Sequence, residues 1–334
     1  ASPRLILALG AGMLMSMMFG SLYAWSLFIP SLEQDLKLLR TDISFVFSVA
    51  LFSFAAGHFC AAFIFGRLPT ALLPLLAAGV GGAGLALAGM GSNYESVVFG
   101  LGVLFGLSAG IAYASSLQAA ESALPNKQGL AGGIIILSFM AGTVIAAYLF
   151  SGAVATNGVR ATFWISALCV AATGVVAAIL LALSGVKLTR QTDAAPSSES
   201  RRMLGISWVG FFLGAFAGII AIGHAATIVI HFGGPETLAV TGIVALAGGI
   251  AAGRLFADWL NTRISVRSVA GLSHLTAAIG VVVVLGNPSG EGAVITLAMV
   301  GIAFGMTTGV YTSALSPVRG QISDNSGHRV LLSA

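Results

Sequence analysis

Apolar stretches of about 20 residues, separated by short polar ones, recur along most of the 334-residue chain. Ten can be marked out: Leu5–Ile29, Ile43–Leu68, Leu72–Met90, Val97–Ala120, Leu130–Ala155, Ala161–Leu183, Ile206–Ile230, Leu238–Leu260, Val269–Leu285 and Ala293–Leu315. Each is long enough to cross the hydrocarbon core of a bilayer as a helix. The runs are continuously apolar, which excludes the short alternating strands of a membrane barrel. Most connections carry turn chemistry: Gly91-Ser92-Asn93, Pro125-Asn126, Asn157-Gly158, Gly233-Gly234-Pro235 and Asn287-Pro288-Ser289-Gly290. The polar stretch from Lys187 to Arg202 is longer and reads as a flexible linker. The pattern therefore predicts an all-α membrane protein with a six-helix bundle over 1–184, a cytoplasmic linker over 185–204 and four helices over 205–317. The tail, 318–334, is too short and polar to span.

Composition sets the solvent. Only 8% of residues are charged and 57% are apolar, against roughly 25% charged in a soluble domain. So few charges cannot build a water-facing surface, and the bilayer is the expected partner. The 44 glycines suit close helix packing in lipid. The net charge of +4 is spread over the connecting segments, not gathered on one face or in one tail, which argues against nucleic acid.

The distribution of cations orients the chain. With the N-terminus inside, the inner segments hold Arg4, Arg67, Lys127, Lys187, Arg190, Arg201, Arg202, Arg263, Arg267, Arg319 and Arg329, and the outer ones only Lys37, Arg40 and Arg160. A multi-pass protein of the inner (plasma) membrane with a cytoplasmic N-terminus is expected. Cys60 and Cys169 lie within apolar runs and read as small buried hydrophobes, with no metal-ligand spacing around either. No cofactor is implied. There is no zinc-protease motif, nucleophile elbow or phosphate loop, so neither a membrane enzyme nor an ATP-driven pump is expected.

The fourth and tenth runs echo each other. Phe105-Gly106-Leu107-Ser108-Ala109-Gly110 is matched by Phe304-Gly305-Met306-Thr307-Thr308-Gly309, Gly102 by Gly301 and Tyr113 by Tyr311. A glycine spacing of four forms a seam for close helix approach. The second and eighth runs share Gly66-Arg67-Leu68 and Gly253-Arg254-Leu255. Both pairs imply an offset of six helices, the parallel repeat of major-facilitator transporters, whose halves rock about a central site.

Several segments carry a narrower resemblance. The first run ends Gly20-Ser21-Leu22-Tyr23-Ala24-Trp25-Ser26, followed by Pro30, and the second opens Arg40-Thr41-Asp42-Ile43-Ser44. The fifth opens Pro125-Asn126-Lys127-Gln128-Gly129-Leu130-Ala131-Gly132-Gly133. Over about the first 317 residues the chain resembles the oxalate:formate antiporter and monocarboxylate transporter branch of the major facilitator superfamily. The resemblance implies twelve helices, of which the last two are missing here. It also implies an arginine in helix eight that binds the substrate carboxylate, which falls on Arg254. Asp258 stands where that branch has a glycine. The loop after the second helix, Gly66-Arg67-Leu68-Pro69-Thr70, lacks the usual charges, and the lysine of helix eleven has no counterpart.

Two readings stand for Arg254. It binds the anion through paired hydrogen bonds, or it forms a structural pair or gate with Asp258 four residues on. Tyr23 and Trp25 either wall the substrate path or belong to an interfacial aromatic belt. Tyr113 and Tyr311 are candidate hydroxyl donors. Arg67, Gly106, Gly110, Gly305 and Gly309 are candidates for gating or structural roles. His58, His224 and His274 fall within runs, as proton relays or as packing residues. No acid stands mid-run in helices one, four, seven or ten, which favours exchange over proton symport. The expected function is a secondary transporter exchanging small organic anions, mono- or dicarboxylates such as oxalate, formate, lactate or pyruvate. The alternatives are an inorganic-anion carrier for nitrate or nitrite, using paired arginines, and a truncated, non-transporting or receptor-like remnant.

Overall fold

The computed structural model describes residues 3–91, 93–125, 127–188 and 198–331. Among these residues the regular structure is helical and no strand occurs. Lipid demands this, because only a helix satisfies its backbone polar groups within one segment.

Helix α1 (Pro3–Phe19) tightens into a 3-10 segment, Gly20–Leu27, and leads to a short helix, Ile29–Leu36. Helices α2 (Arg40–Ile64) and α3 (Leu72–Met90) follow. Helix α4 (Tyr94–Ala123) is π-helical over Val98–Phe105 before becoming regular at Gly106. Gln128–Ser184 is a helical stretch of 57 residues, about 86 Å long if straight and far beyond one bilayer core. It breaks at Gly158, at φ 78° and ψ 168°, a conformation that only glycine adopts without strain. The turn expected at Asn157-Gly158 thus divides α5 (128–157) from α6 (159–184). Helices α7 (Ser198–His231), α8 (Glu236–Leu260), α9 (Val266–Gly286) and α10 (Gly290–Leu331) complete the set. Among the described residues nine continuous helical stretches are long and apolar enough to cross a membrane, and the Gly158 break makes ten spans of them.

Two differences from the sequence reading concern helix ends. Residues 198–204, read as part of the linker, begin α7, while 189–197 lie outside the described residues. The backbone of α10 continues past Pro317 to Leu331, so most of the stretch read as a tail is helical. Cys60 and Cys169 are exposed on the protein surface, not buried; their apolar runs supply the lipid-facing side of a helix as well as its packed side.

The chain divides into two units, Ala1–Arg190 and Gln191–Ala334. In the first, α1 packs on α4 and α5, α2 on α4, and α3 on α4 and α6. Ser16 donates to the Ile135 carbonyl and Thr143 to the Gly20 carbonyl, each at 2.8 Å, tying α1 to α5. In the second unit, α10 packs on α7, α8 and α9.

The repeated glycines lie in two matching seams. A methyl on Gly106 or Gly110 would run into the α2 backbone at Ala50 or Phe54, and one on Gly57 into Leu107 of α4. In the second unit, Gly301 and Gly305 lie in the same way against Leu246 and Ile250 of α8, and Gly249 and Gly253 against Ala298 and Ile302 of α10. Helix pairs α2/α4 and α8/α10 are thus built alike. The register differs from the one read from Gly66-Arg67-Leu68. Arg67 lies beyond the end of α2, exposed in the turn that follows, whereas Arg254 lies within α8. Gly106 lies against Ala50 and Gly305 against Ile250; four residues further along each partner helix, Phe54 lies against Gly110, and Arg254, with Ala257, against Gly309. Phe54, not Arg67, therefore matches Arg254.

Candidate functional site

Arg254 is carried by α8 within its close seam with α10, where a methyl on Gly305 would meet the Arg254 backbone nitrogen at 2.8 Å. A methyl on Gly309 would meet the Arg254 Cδ at 3.4 Å and its carbonyl oxygen at 3.5 Å. This approach lets Arg254 Nη1 donate to the Thr308 carbonyl at 3.2 Å. Its Nε donates to Asp258 Oδ2 at 3.4 Å, an ion pair across one helical turn. The arginine side chain is 10% exposed and the aspartate side chain 38%. A guanidinium within a membrane span costs roughly 2.5–3.5 kcal/mol on insertion scales, and these two acceptors offset part of that.

Tyr311 stands one turn beyond Thr308 on α10. Its hydroxyl end packs against Gly210 of α7, and its ring meets Phe211 edge-on, with centroids 5.8 Å apart. The lack of a side chain at Gly210 makes room for it.

The first unit gathers a group of aromatic rings. Tyr23, from the 3-10 segment of α1, meets Phe139 of α5 edge-on at 5.0 Å. Phe139 meets Tyr113 of α4 at 5.7 Å and Phe54 of α2 at 6.4 Å. Tyr113 also lies 5.8 Å from Phe54 and 5.9 Å from the His58 ring. Four helices thus contribute to one cluster, of which sequence reasoning named Tyr23 and Tyr113 and weighed His58 singly. It missed Phe54 and Phe139. The signal for Phe54 lay in the glycine register, which sets it against Arg254.

Trp25 does not join Tyr23. The 3-10 geometry turns it to another side of α1, where it is 1% exposed among Phe28, Leu85, Phe105 and Phe163. Its indole N–H has no hydrogen-bond partner there. That position is the packed interior of the first unit and not an interfacial belt. Arg67 is remote from this cluster in the turn after α2, where its backbone N–H donates to the Ile64 carbonyl at 3.0 Å. Gly106, Gly110, Gly305 and Gly309 act through backbone approach. Among the described residues no three His, Cys, Asp or Glu side chains are grouped to hold a metal ion.

A buried, partnered arginine in a membrane span and helix pairs repeated across two units are features of a carrier, and sequence comparison identifies the family. Residues 8–324 match the family described as Major Facilitator Superfamily. The chain belongs to that superfamily. No curated protein matches it at a significant level. Among solved structures, this superfamily member is similar to a bacterial homolog of the human lysosomal transporter Spinster, in an inward-facing, unoccupied conformation. That likeness has a TM-score of 0.68 and 17% identity, over 94% of this chain and 75% of the other. It is also similar to the xylose transporter XylE from E. coli in a partially occluded inward-open conformation, with a TM-score of 0.70 and 15% identity over 94% and 84%. A D-xylose-proton symporter gives a TM-score of 0.64 and 15% identity over 94% and 86%. At these identities the likeness is one of fold.

Proposed function

We propose that this superfamily member carries small organic anions, mono- or dicarboxylates, across the inner (plasma) membrane by alternating access, exchanging one anion for another, with its N-terminus in the cytoplasm. The observation that carries this reading is Arg254. It is a cation inside a membrane-spanning helix, almost wholly buried, and hydrogen-bonded on its Nε and Nη1 atoms. Such a charge is retained in a membrane where it binds something, and a guanidinium matches the two oxygens of a carboxylate.

Tyr311 in the second unit and Tyr113 in the first are the proposed hydroxyl donors, and Tyr23 is proposed to wall the substrate path. The ring cluster around Phe139 suits a substrate with an apolar body. The position of Phe54 opposite Gly110 favours an organic anion over nitrate or nitrite, because the arginine pair that an inorganic-anion site would use has an aromatic ring in its second place.

The test is uptake of labelled oxalate, formate, lactate and pyruvate into proteoliposomes, with nitrate and xylose alongside. At least one carboxylate should accumulate, and Arg254→Ala should abolish that uptake while the protein stays monodisperse. Xylose or nitrate uptake without any carboxylate uptake, or carboxylate uptake indifferent to Arg254→Ala, would overturn the reading.

A further inference from the structure

Arg254 and Asp258 form one ion pair, yet they are not held alike. The arginine is buried and has a second hold on the Thr308 carbonyl of α10. The aspartate is more than a third exposed, so it can leave at little cost in desolvation. Their contact is one Nε hydrogen bond at 3.4 Å, longer than the 2.7–2.9 Å typical of a charge-assisted pair and lacking the forked geometry that a guanidinium and a carboxylate prefer.

We propose that Asp258 is the resident counter-ion of the unloaded carrier: it neutralises Arg254 while no substrate is bound, yields it to an arriving anion, and so lets the unloaded protein return across the membrane. This rests on the anion-carrier reading of Arg254 and widens the exchange proposed above, which becomes one of two modes beside net movement. An isolated guanidinium is costly in hydrocarbon. A carrier with a bare arginine returns readily only when an anion travels with it, and is confined to exchange. With Asp258 in place, the empty site has no net charge. A substrate carboxylate then replaces one long hydrogen bond with a forked pair, and the exposed aspartate relaxes into water. The same residue that permits net movement competes with substrate, so it also weakens apparent affinity. Asp258 acts through Arg254 and is a positioning residue for the anion.

The experiment compares wild type, Asp258→Asn and Asp258→Glu in proteoliposomes. Labelled lactate uptake is measured with unlabelled lactate inside (exchange) and with none (net uptake), the panel above supplying another carboxylate if lactate is not carried. Wild type should show both modes. Asp258→Asn should keep exchange with a lowered KM and lose net uptake by about tenfold or more, the scale set by an uncompensated charge in the membrane. Asp258→Glu should restore net uptake. If Asp258→Asn is not monodisperse, Asp258→Ser takes its place.

A merely structural role would lower both modes together and leave KM unchanged, and that result overturns the proposal. So does wild-type protein that exchanges but shows no net uptake. If wild type moves no carboxylate in either mode, the anion-carrier reading itself falls.

Discussion

Arg254 was legible as a candidate because a charge within an apolar run is costly in lipid, although its neighbours left both a binding and a structural reading open. Its partners were only half legible. Asp258 lies four residues on and is set by helical periodicity, whereas the Thr308 carbonyl is a backbone group whose approach depends on Gly309. Phe54 and Phe139 were not legible, since the chain holds 20 phenylalanines, most of them able to face lipid or a neighbouring helix with equal ease. That Trp25 is buried away from Tyr23 was not legible either, because a 3-10 turn rotates side chains away from their α-helical positions. If the fork of Arg254 matters more than its charge, Arg254→Lys should weaken apparent carboxylate affinity by about tenfold while retaining some uptake. Uptake kinetics on the purified variant check this. Trp25→Phe removes an unpaired indole N–H from the interior of the first unit. Thermal unfolding in detergent should show it to be no less stable than wild type, because leaving that donor unpaired costs about 1–3 kcal/mol.

At the scale of elements, the apolar runs located the spans and Asn157-Gly158 located the α5/α6 break. The 3-10 stretch of α1 and the π stretch of α4 left no mark on hydropathy, since all three windings satisfy their backbone within one segment and call for the same apolar composition in lipid. The glycine repeat was visible, but its partner helices became visible only through packing. The seams make a sharp prediction. Gly110→Val should press a side chain into the Phe54 carbonyl of α2 and destabilise the first unit by about 1–3 kcal/mol, the usual cost of overpacking. Gly305→Val should act likewise in the second unit against Ile250. Gly10→Ala is the control: it has open space around it and should be neutral or mildly stabilising, by about 0.5–1 kcal/mol. Thermal melts of the purified variants in one detergent check all three. Losing the α1–α5 tie with Thr143→Val, at the Gly20 carbonyl, should cost about 1 kcal/mol.

For the whole molecule, counting spans on either side of one polar stretch led to the expectation of a six-helix and a four-helix set, and the chain does divide into two units, Ala1–Arg190 and Gln191–Ala334. The register between the two units did not follow, because a three-residue match at a helix end is weaker than a seam of packed backbones. Topology is the prediction that belongs here. Asp35 pairs with Arg160 at 2.8 Å and Glu33 with Arg40 at 2.9 Å, fixing the short helix Ile29–Leu36 to the starts of α6 and α2. Under the proposed orientation this corner faces outward, and the turn after α8, where Arg263 covers the Trp259 ring at 4.3 Å, faces the cytoplasm. With Cys60 and Cys169 replaced by serine, a cysteine at Lys37 should react with a membrane-impermeant maleimide in intact cells. One at Arg263 should react only after permeabilisation.

The central claim is that Arg254 binds a carboxylate, and equilibrium binding tests it without depending on turnover. Labelled lactate, or whichever carboxylate the uptake panel selects, is bound to purified protein and competed with the unlabelled acid or with its uncharged amide. The acid should compete and the amide should not, and Arg254→Ala should weaken binding by about a hundredfold, the loss expected for a forked charge-assisted pair. Equal competition by the amide, or unchanged affinity in Arg254→Ala, would contradict the account and leave Arg254 a structural partner of Asp258.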